Sequence, residues 1–359
     1  MSTTIDALIH VPTLRGGGAE RVAIRIAEHF AAQRLATALF VHDGSADFAV
    51  PHGVERIVAA SGGHLGRVAE LRRLLARRRV RSLVSLLPYA NLLSLAARLG
   101  HSRRTRLVVS EHISFTYRPA SLKERVKTWL TTKAYPFADS VVAVSGGIAT
   151  ELDRLMPRIG RRNLVVIHNP CYIAADVPSI QRQPGAPPRV VAVGRLAHQK
   201  GFDTLIRAFA GVRAVRRDAS LTIVGEGPER ARLEALVEAE GLAGRVTLPG
   251  FREDIGSAFR NADLFVCASR AEGFGNVIVE ALSYGLPVVS TDCPHGPAEI
   301  LRDGRFGTLV PVDDAAALTR AIVDALDGPV DPLRQIMRAR DFSLERIGAQ
   351  YLHEAGFAP

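Results

Sequence analysis

Cysteine is scarce in this 359-residue chain, which holds only Cys171, Cys267 and Cys293. The number is odd, the spacings are long and no C-x-x-C pair occurs, so neither a disulfide framework nor a zinc knuckle is indicated and a reducing compartment is expected. Long apolar runs are missing too. Leu83 to Ala97 comes nearest, but Pro88, Tyr89 and Asn91 interrupt it, and it falls short of the roughly 20 residues a spanning helix needs. It reads instead as a strand followed by a helix. The start, Met1-Ser2-Thr3-Thr4 before the apolar Ile5–Val11, has neither a basic leader nor a cleavage site, so secretion is not expected. A cytoplasmic protein that meets a membrane only from its surface is the resulting expectation. Lysine is rare as well, confined to positions 123, 127, 133 and 200.

What is present is a folded α/β composition, with 47% hydrophobic residues, which excludes disorder as the main state. The length exceeds what one hydrophobic core normally serves, so two domains are expected. The net charge of +10 is unevenly spread: residues 1–172 carry 25 Lys and Arg against 12 Asp and Glu, residues 173–359 carry 21 against 24. The basic first half, at +13, suits anionic lipid head groups, nucleic acid or anionic substrates as partners. An arginine bias of the whole chain accounts for part of it.

Short Val/Ile/Leu-rich runs alternate with helical patterns: Ile5–Val11, Ala38–His42, Ser82–Leu87, Arg106–Ser110, Ser140–Val144 and Leu164–His168. That alternation predicts βαβ units and a parallel sheet. Pro178, Pro184, Pro187 and Pro188 with Gly185 then break the pattern as a linker would. It restarts with Arg189–Val193, Ser220–Val224, Arg245–Leu248, Asp263–Cys267, Pro287–Ser290 and Thr308–Val310. The predicted architecture is a Rossmann-like doubly wound domain over 1–172, a linker over 173–188 and a second such domain over 189–342. A helix at about 343–359 is expected to pack back on the first domain. Ligands of such sheets sit beyond the carboxyl ends of the strands, which points to a cleft between the two lobes.

Three stretches can carry chemistry. After the first strand, Pro12 to Arg21 contains Gly16, Gly17 and Gly18 and leads into a helix with Val22, Ile26 and Phe30 inward. Glycines before a helix start let backbone N–H groups approach a phosphate, although a simple tight turn has the same composition. The stretch is neither G-x-G-x-x-G nor a Walker loop, so nicotinamide and P-loop chemistry are disfavoured. The second half opens with Gly194-Arg195 and, five residues on, Lys200-Gly201. A guanidinium and an ammonium on one strand-to-helix loop can clamp a diphosphate; they can also be solvated surface charges. The third stretch, Glu272-Gly273-Phe274-Gly275-Asn276-Val277-Ile278-Val279-Glu280, places one carboxylate on a loop and another a turn into an apolar helix. A carboxylate there is costly to bury unless a donor meets it, and sugar hydroxyls are donors.

Gly-Gly-Ala-Glu near the start, Gly-Arg-Leu-x-x-x-Lys-Gly at 194–201, Ile223-Val224-Gly225-Glu226-Gly227-Pro228, and two glutamates separated by seven residues resemble the family-4 retaining glycosyltransferases of the GT-B fold. The likeness covers most of 190–301 and patches of the first half. It implies that Arg195 and Lys200 hold the donor diphosphate with Gly17 and Gly18 behind it, and that Glu280 bonds the ribose. It further implies that Glu272 contacts donor-sugar hydroxyls, with the amides of Phe274, Gly275 and Asn276 close by. In Ser110-Glu111-His112, His112 resembles the family's active-site histidine, which orients the sugar; a core histidine would read the same. The implied cofactor set is empty: the nucleotide-diphosphate sugar is a co-substrate, no metal is required, and no D-x-D pair occurs. Asp292 to Ile300 is similar to a variant in members that build lipid-linked or surface polysaccharides such as lipopolysaccharide or exopolysaccharide. That favours a UDP-sugar, including an N-acetylhexosamine, with GDP-mannose as a second donor.

Two helical stripes belong to the acceptor side. Leu65, Val68, Leu71, Leu74 and Leu75 among arginines read as a helix packed on its own sheet. Leu122, Val126, Trp129 and Leu130 alternate with Lys123, Arg125, Lys127 and Lys133, as an interfacial anchor does. A helix packed on its own sheet has the same periodicity; the resemblance, in which similar enzymes use this region near the acceptor, implies peripheral contact with the inner face of the plasma membrane. A nucleotide-sugar epimerase of similar fold and a basic nucleic-acid-binding protein stay open, the latter weakened by the lack of a helix-turn-helix signal or RNA-binding aromatic motif.

Overall fold

A computed structural model of the chain describes residues 4–15, 17–45, 48–99, 105–115, 121–156, 163–173 and 186–358, with only the backbone of Lys123. Gly16 and most of the expected linker, residues 174–185, lie outside the described residues. The chain forms two compact units, Met1–Pro170 joined by Leu344–Pro359, and Cys171–Ser343.

The first unit runs β1 (Ala7–His10), α1 (Gly18–Ala32), β2 (Thr37–Val41), β3 (Val54–Val58), α2 (His64–Arg77), β4 (Ser82–Leu86), α3 (Pro88–Arg98), β5 (Arg106–Glu111), α4 (Leu122–Ala134), β6 (Ser140–Ala143), α5 (Gly146–Leu155) and β7 (Leu164–Val166). Its strands form one parallel sheet in the order β3-β2-β1-β4-β5-β6-β7. In the centre Ile9 lies opposite Leu39 on one side and Val84 on the other. Strands β1, β2, β4 and β6 are buried along their whole length, which is why they read as unbroken apolar runs. Pattern reading does not find β3. Glu55 and Arg56 interrupt its apolar sequence, and as an edge strand it pairs with β2 alone while Glu55 takes an ion pair from Arg78 at 2.8 Å.

The second unit runs β8 (Arg189–Val193), α6 (Phe202–Val215), β9 (Ser220–Val224), α7 (Arg230–Ala239), β10 (Val246–Thr247), α8 (Gly256–Arg260), β11 (Leu264–Cys267), α9 (Asn276–Ser283), β12 (Val288–Thr291), α10 (Pro297–Leu301), β13 (Thr308–Val310), α11 (Ala315–Asp327) and α12 (Pro332–Arg340). Its parallel sheet has the order β10-β9-β8-β11-β12-β13. In both sheets the strand order reverses beside the first strand of the unit, at β1/β4 and at β8/β11. Right-handed crossovers then lay helices on both faces, the doubly wound arrangement.

The last helix, α13 (Leu344–Glu354), belongs to the first unit. Ile347, Tyr351 and Leu352 enter the same apolar cluster as Val22, Ile26 and Phe30 of α1, each buried side chain stabilising that contact by about 1.5–3 kcal/mol. The helices touch because Gly348 has no side chain: a Cβ there would overlap the His29 ring. Gly348→Ala is therefore expected to cost about 1–3 kcal/mol in urea denaturation. Gly62→Ala, with open space around it, is expected to change stability by less than about 0.5 kcal/mol. Equal effects from both would show that the α1/α13 packing does not depend on Gly348.

Candidate functional site

In the second unit the loops that follow β8 and β11 leave neighbouring strands in opposite directions, which opens a crevice at the carboxyl edge of the sheet. The β8 loop carries Arg195 and Lys200, the latter in a 3-10 turn over His198–Lys200. Gly201 ends that turn with φ +62°, and a Cβ there would run into the Ala268 carbonyl of the β11 loop. A left-handed conformation and a backbone at its side together require glycine. The two loops are further tied by Gln199 Nε2 to the Ala271 carbonyl at 2.7 Å and by the Arg270 N–H to the Gln199 carbonyl at 2.7 Å.

This stitching brings Lys200 Nζ to 2.6 Å from Glu272 Oε1. Ser269 donates its hydroxyl to the same oxygen at 2.6 Å, and its own carbonyl accepts from Thr291 Oγ1 at 2.5 Å. Glu272 is 7% exposed. Among the described residues its second oxygen, Oε2, has no hydrogen-bond partner, so one side of the carboxylate is held and the other remains an acceptor. Burial is the largest single influence and works against the Lys200 charge, but the contributions that favour it, led by the charge of Glu272, together raise the lysine above its ordinary range. The ammonium is thus firmly charged at neutral pH. Burial pushes the thiols of Cys267 and Cys293 up, which keeps both protonated and unreactive.

Arg195 is exposed and its guanidinium has no partner among the described residues. Arg270, by contrast, is fully committed. It donates to Asp203 at 2.9 and 3.1 Å, to the His198 carbonyl at 2.6 Å and to Thr204 at 3.2 Å, and pairs with Asp313 at 2.7 Å. It therefore pins the loop bearing Glu272 to the loop bearing Lys200 and to the start of α6. Phe274 is buried, its ring 5.4 Å from that of Phe342. Gly275 is the N-cap of α9, which begins at Asn276 with no side-chain cap. Glu280 lies one turn into α9 and is buried. Burial raises the Tyr284 phenol; Arg260 opposes this, and the charges of Asp254 and Glu280 add to it.

The remaining predicted residues lie in the first unit, at the carboxyl edge of its sheet. Gly17 is the N-cap of α1 and Gly18 its first residue. The Glu20 carboxylate folds back over Gly17, filling the space a Cβ would need. A negative group at a helix start is what the macrodipole favours. Burial raises the Glu20 carboxyl, against a bond from its own N–H. His112 follows β5, with Nε2 3.0 Å from Ser110 Oγ, which is in turn 3.0 Å from the Tyr351 hydroxyl. Desolvation lowers the His112 imidazole to about 3, so the ring is neutral at pH 7. Glu111 turns inward and accepts from Tyr135 at 2.9 Å and from the Ile113 N–H at 3.2 Å.

Lys200 and Glu272 are thus in contact, with Arg195, Gly275 and Asn276 on the same sheet edge, while Gly17, Gly18 and His112 belong to the other unit. Sequence reasoning misses Ser269, although its place three residues before Glu272 is a signal. It also misses Arg270, and Tyr351, which no local pattern could join to His112. A fourth omission is the pair at the ends of β1 and β2: His10 Nε2 meets His42 Nε2 at 2.8 Å, and His10 Nδ1 meets Ser94 Oγ at 2.7 Å. Burial lowers both imidazoles, His42 to about 4. Among the described residues no group of three His, Cys, Asp or Glu is disposed to hold a metal ion.

Residues 187–328 match the family model described as glycosyl transferases group 1, and residues 16–173 match the model described as Glycosyltransferase Family 4. The alpha-D-kanosaminyltransferase of Streptomyces kanamyceticus is 31% identical over 271 residues, 68% of each chain. A Campylobacter jejuni alpha-1,4-N-acetyl-D-galactosaminyltransferase, named for an undecaprenol diphosphate-linked saccharide, is 23% identical over 95% of this chain and 96% of its own. Among solved structures, Anabaena HepE in complex with UDP and glucose superimposes with a TM-score of 0.79 at 24% identity, covering 98% of this chain and 99% of that one. The lipopolysaccharide outer core galactosyltransferase WaaB does so with 0.77 at 19%, covering 98% and 99%.

Removing one partner of a largely buried ion pair leaves the other charge uncompensated. Lys200→Met is therefore expected to cost the second unit about 3 kcal/mol in urea denaturation, and Lys200→Met with Glu272→Gln markedly less. Equal losses in the single and double variants would show that the pair is not coupled.

Proposed function

The chain belongs to the family-4 glycosyltransferases, and from that membership we propose that it moves a hexose or N-acetylhexosamine from a nucleotide-diphosphate sugar to a saccharide or lipid-linked acceptor, with retention of anomeric configuration. The donor is a UDP-sugar, with GDP-mannose as the second choice. The observation that carries this reading is the divided Glu272 carboxylate: Lys200 and Ser269 hold Oε1, and Oε2 is left to accept from sugar hydroxyls. A carboxylate held in place before the ligand arrives costs no reorganisation during reaction.

Arg195, exposed and without a partner among the described residues, and Lys200 meet the diphosphate, and within the first unit the Gly17–Gly18 start of α1 is a candidate phosphate contact. The same field that draws the Glu20 carboxylate over Gly17 attracts a phosphate. Glu280 takes the ribose, and the backbone of Phe274, Gly275 and Asn276 lies along the sugar and phosphates. As the bond from the anomeric carbon to the diphosphate breaks, negative charge grows on the leaving oxygen, and these cations neutralise it without a metal. The acceptor oxygen bonds to the anomeric carbon from the same face, its proton passing to the departing phosphate. No side chain serves as nucleophile. The acceptors named for the Campylobacter relative, and the lipopolysaccharide core named for a 36% identical Rhizobium meliloti protein that matches 51% of this chain, support surface-glycan synthesis.

Membrane contact is proposed through α4. Leu122, Val126, Trp129 and Leu130 are all exposed there, Leu122 at 76% and Trp129 at 59%, beside exposed Arg125 and Lys133. Leucine and tryptophan next to cations suit the boundary of an anionic bilayer at the inner face of the plasma membrane. Among the described residues no helix is long and apolar enough to cross it.

Two expectations test this reading. Arg195→Ala removes an exposed, unpartnered side chain, so stability is expected to change by less than about 0.5 kcal/mol while transfer from UDP-sugars falls about 100-fold; wild-type turnover in that variant, or in Glu272→Ala, would refute it. Trp129 is the single tryptophan of the chain, so its fluorescence reports on α4 directly. A blue shift with phosphatidylglycerol vesicles, absent with phosphatidylcholine and reversed by salt, is expected; no shift with either vesicle removes the membrane proposal.

A further inference from the structure

We propose that Tyr351 and Ser110 lock His112 in the tautomer protonated at Nδ1, so that this ring meets its ligand as a hydrogen-bond donor and not as a base. The assignment follows from counting protons along a closed chain of three side chains. Tyr351 is 0% exposed, and its hydroxyl has a single partner among the described residues, Ser110 Oγ at 3.0 Å. A buried hydroxyl proton with no acceptor costs about 1–3 kcal/mol, so Tyr351 donates and Ser110 accepts. Burial pushes the Tyr351 phenol up, which keeps that proton in place at any physiological pH.

Ser110 has one proton of its own. With Tyr351 donating to it, that proton goes to its other partner, His112 Nε2, at 3.0 Å. Nε2 is then an acceptor with its lone pair occupied, and a neutral imidazole must carry its hydrogen on Nδ1. The opposite arrangement, with Nε2–H donating to Ser110 and Ser110 donating to Tyr351, strands the phenolic proton inside the core. Among the described residues Nδ1 has no partner. It is an N–H donor offered to an oxygen acceptor, either a sugar hydroxyl or a phosphate oxygen, and with Nε2 covered the ring has no open lone pair with which to abstract a proton. Tyr351 does not touch the ligand. It is a positioning residue, supplied by α13, whose packing against α1 holds the phenol at the end of β5.

The tautomer can be established without assaying transfer, whereas the ligand half of the inference rests on the proposed reaction at His112. In full-length protein labelled with nitrogen-15, long-range proton–nitrogen correlation at pH 7 distinguishes the two ring nitrogens, and loss of one set of signals in His112→Gln assigns them. The expected wild-type pattern is a protonated Nδ1 and a bare Nε2. A protonated Nε2 for His112 in the wild type would overturn the inference outright, whatever the effect of Tyr351→Phe. In Tyr351→Phe, Ser110 is released from its direction and the ring is expected to shift toward the other tautomer or a mixture; an unchanged pattern there would remove Tyr351 from the role. With a UDP-sugar donor, Tyr351→Phe is expected to lower kcat about tenfold with donor KM changed less than twofold. His112→Asn, whose amide N–H replaces Nδ1–H, should retain at least tenfold more turnover than His112→Gln, and Asn and Gln variants of equal activity would overturn the donor role while leaving the tautomer measurement standing.

Discussion

A parallel sheet sends every strand-to-helix turn to one edge, and where strand order reverses two of those turns part and leave a crevice. Much of the chemistry of this chain follows from that constraint. At β8/β11 it sets a lysine on one loop against a glutamate on the next. The pair forms because the loops are bound backbone to backbone, with Gly201 against the Ala268 carbonyl and Arg270 spanning Asp203, His198 and Asp313. In the first unit the same edge collects the start of α1, the His10–His42 contact and His112.

Charge is then handled in opposite ways in the two units. In the second, the Lys200 charge is supported by the Glu272 carboxylate beside it, and the exposed Arg195 adds a second cation. In the first, imidazoles are stripped of charge by burial and left as neutral hydrogen-bonding groups. Binding an anion takes net charge, while orienting a hydroxyl takes a donor or acceptor of fixed direction.

Much of this was legible in the chain. Among the described residues twelve of the thirteen strands read as apolar runs, the central ones because parallel strands there are buried on both faces and must be continuously apolar. The exception, β3, lies at a sheet edge, where Glu55 and Arg56 can reach water and Arg78, so its apolar signal is broken. Lys200 and Glu272 stand in recognisable glycine-bearing loops, because Gly201 has to lie against the Ala268 carbonyl and Gly275 caps α9. The stripe at 64–77 illustrates the limit of periodicity: Leu71 and Leu75 are buried, yet Leu65 is 86% exposed, since a helical repeat does not say which end of a stripe the sheet covers.

The linear order of residues determined the class of fold, the existence of two doubly wound units and the identity of the charged loops, because each of these is written in spacings of fewer than ten residues. Which oxygen of Glu272 is held and which is open, the commitment of Arg270 to three loops, and the line from Tyr351 through Ser110 to His112 were decided only in three dimensions. Ser269 and Thr291 stand 22 residues apart, and Ser110 and Tyr351 stand 241 apart. Hydrogen bonds act over about 3 Å, and nothing local in a sequence says which distant groups a sheet edge will bring within that range.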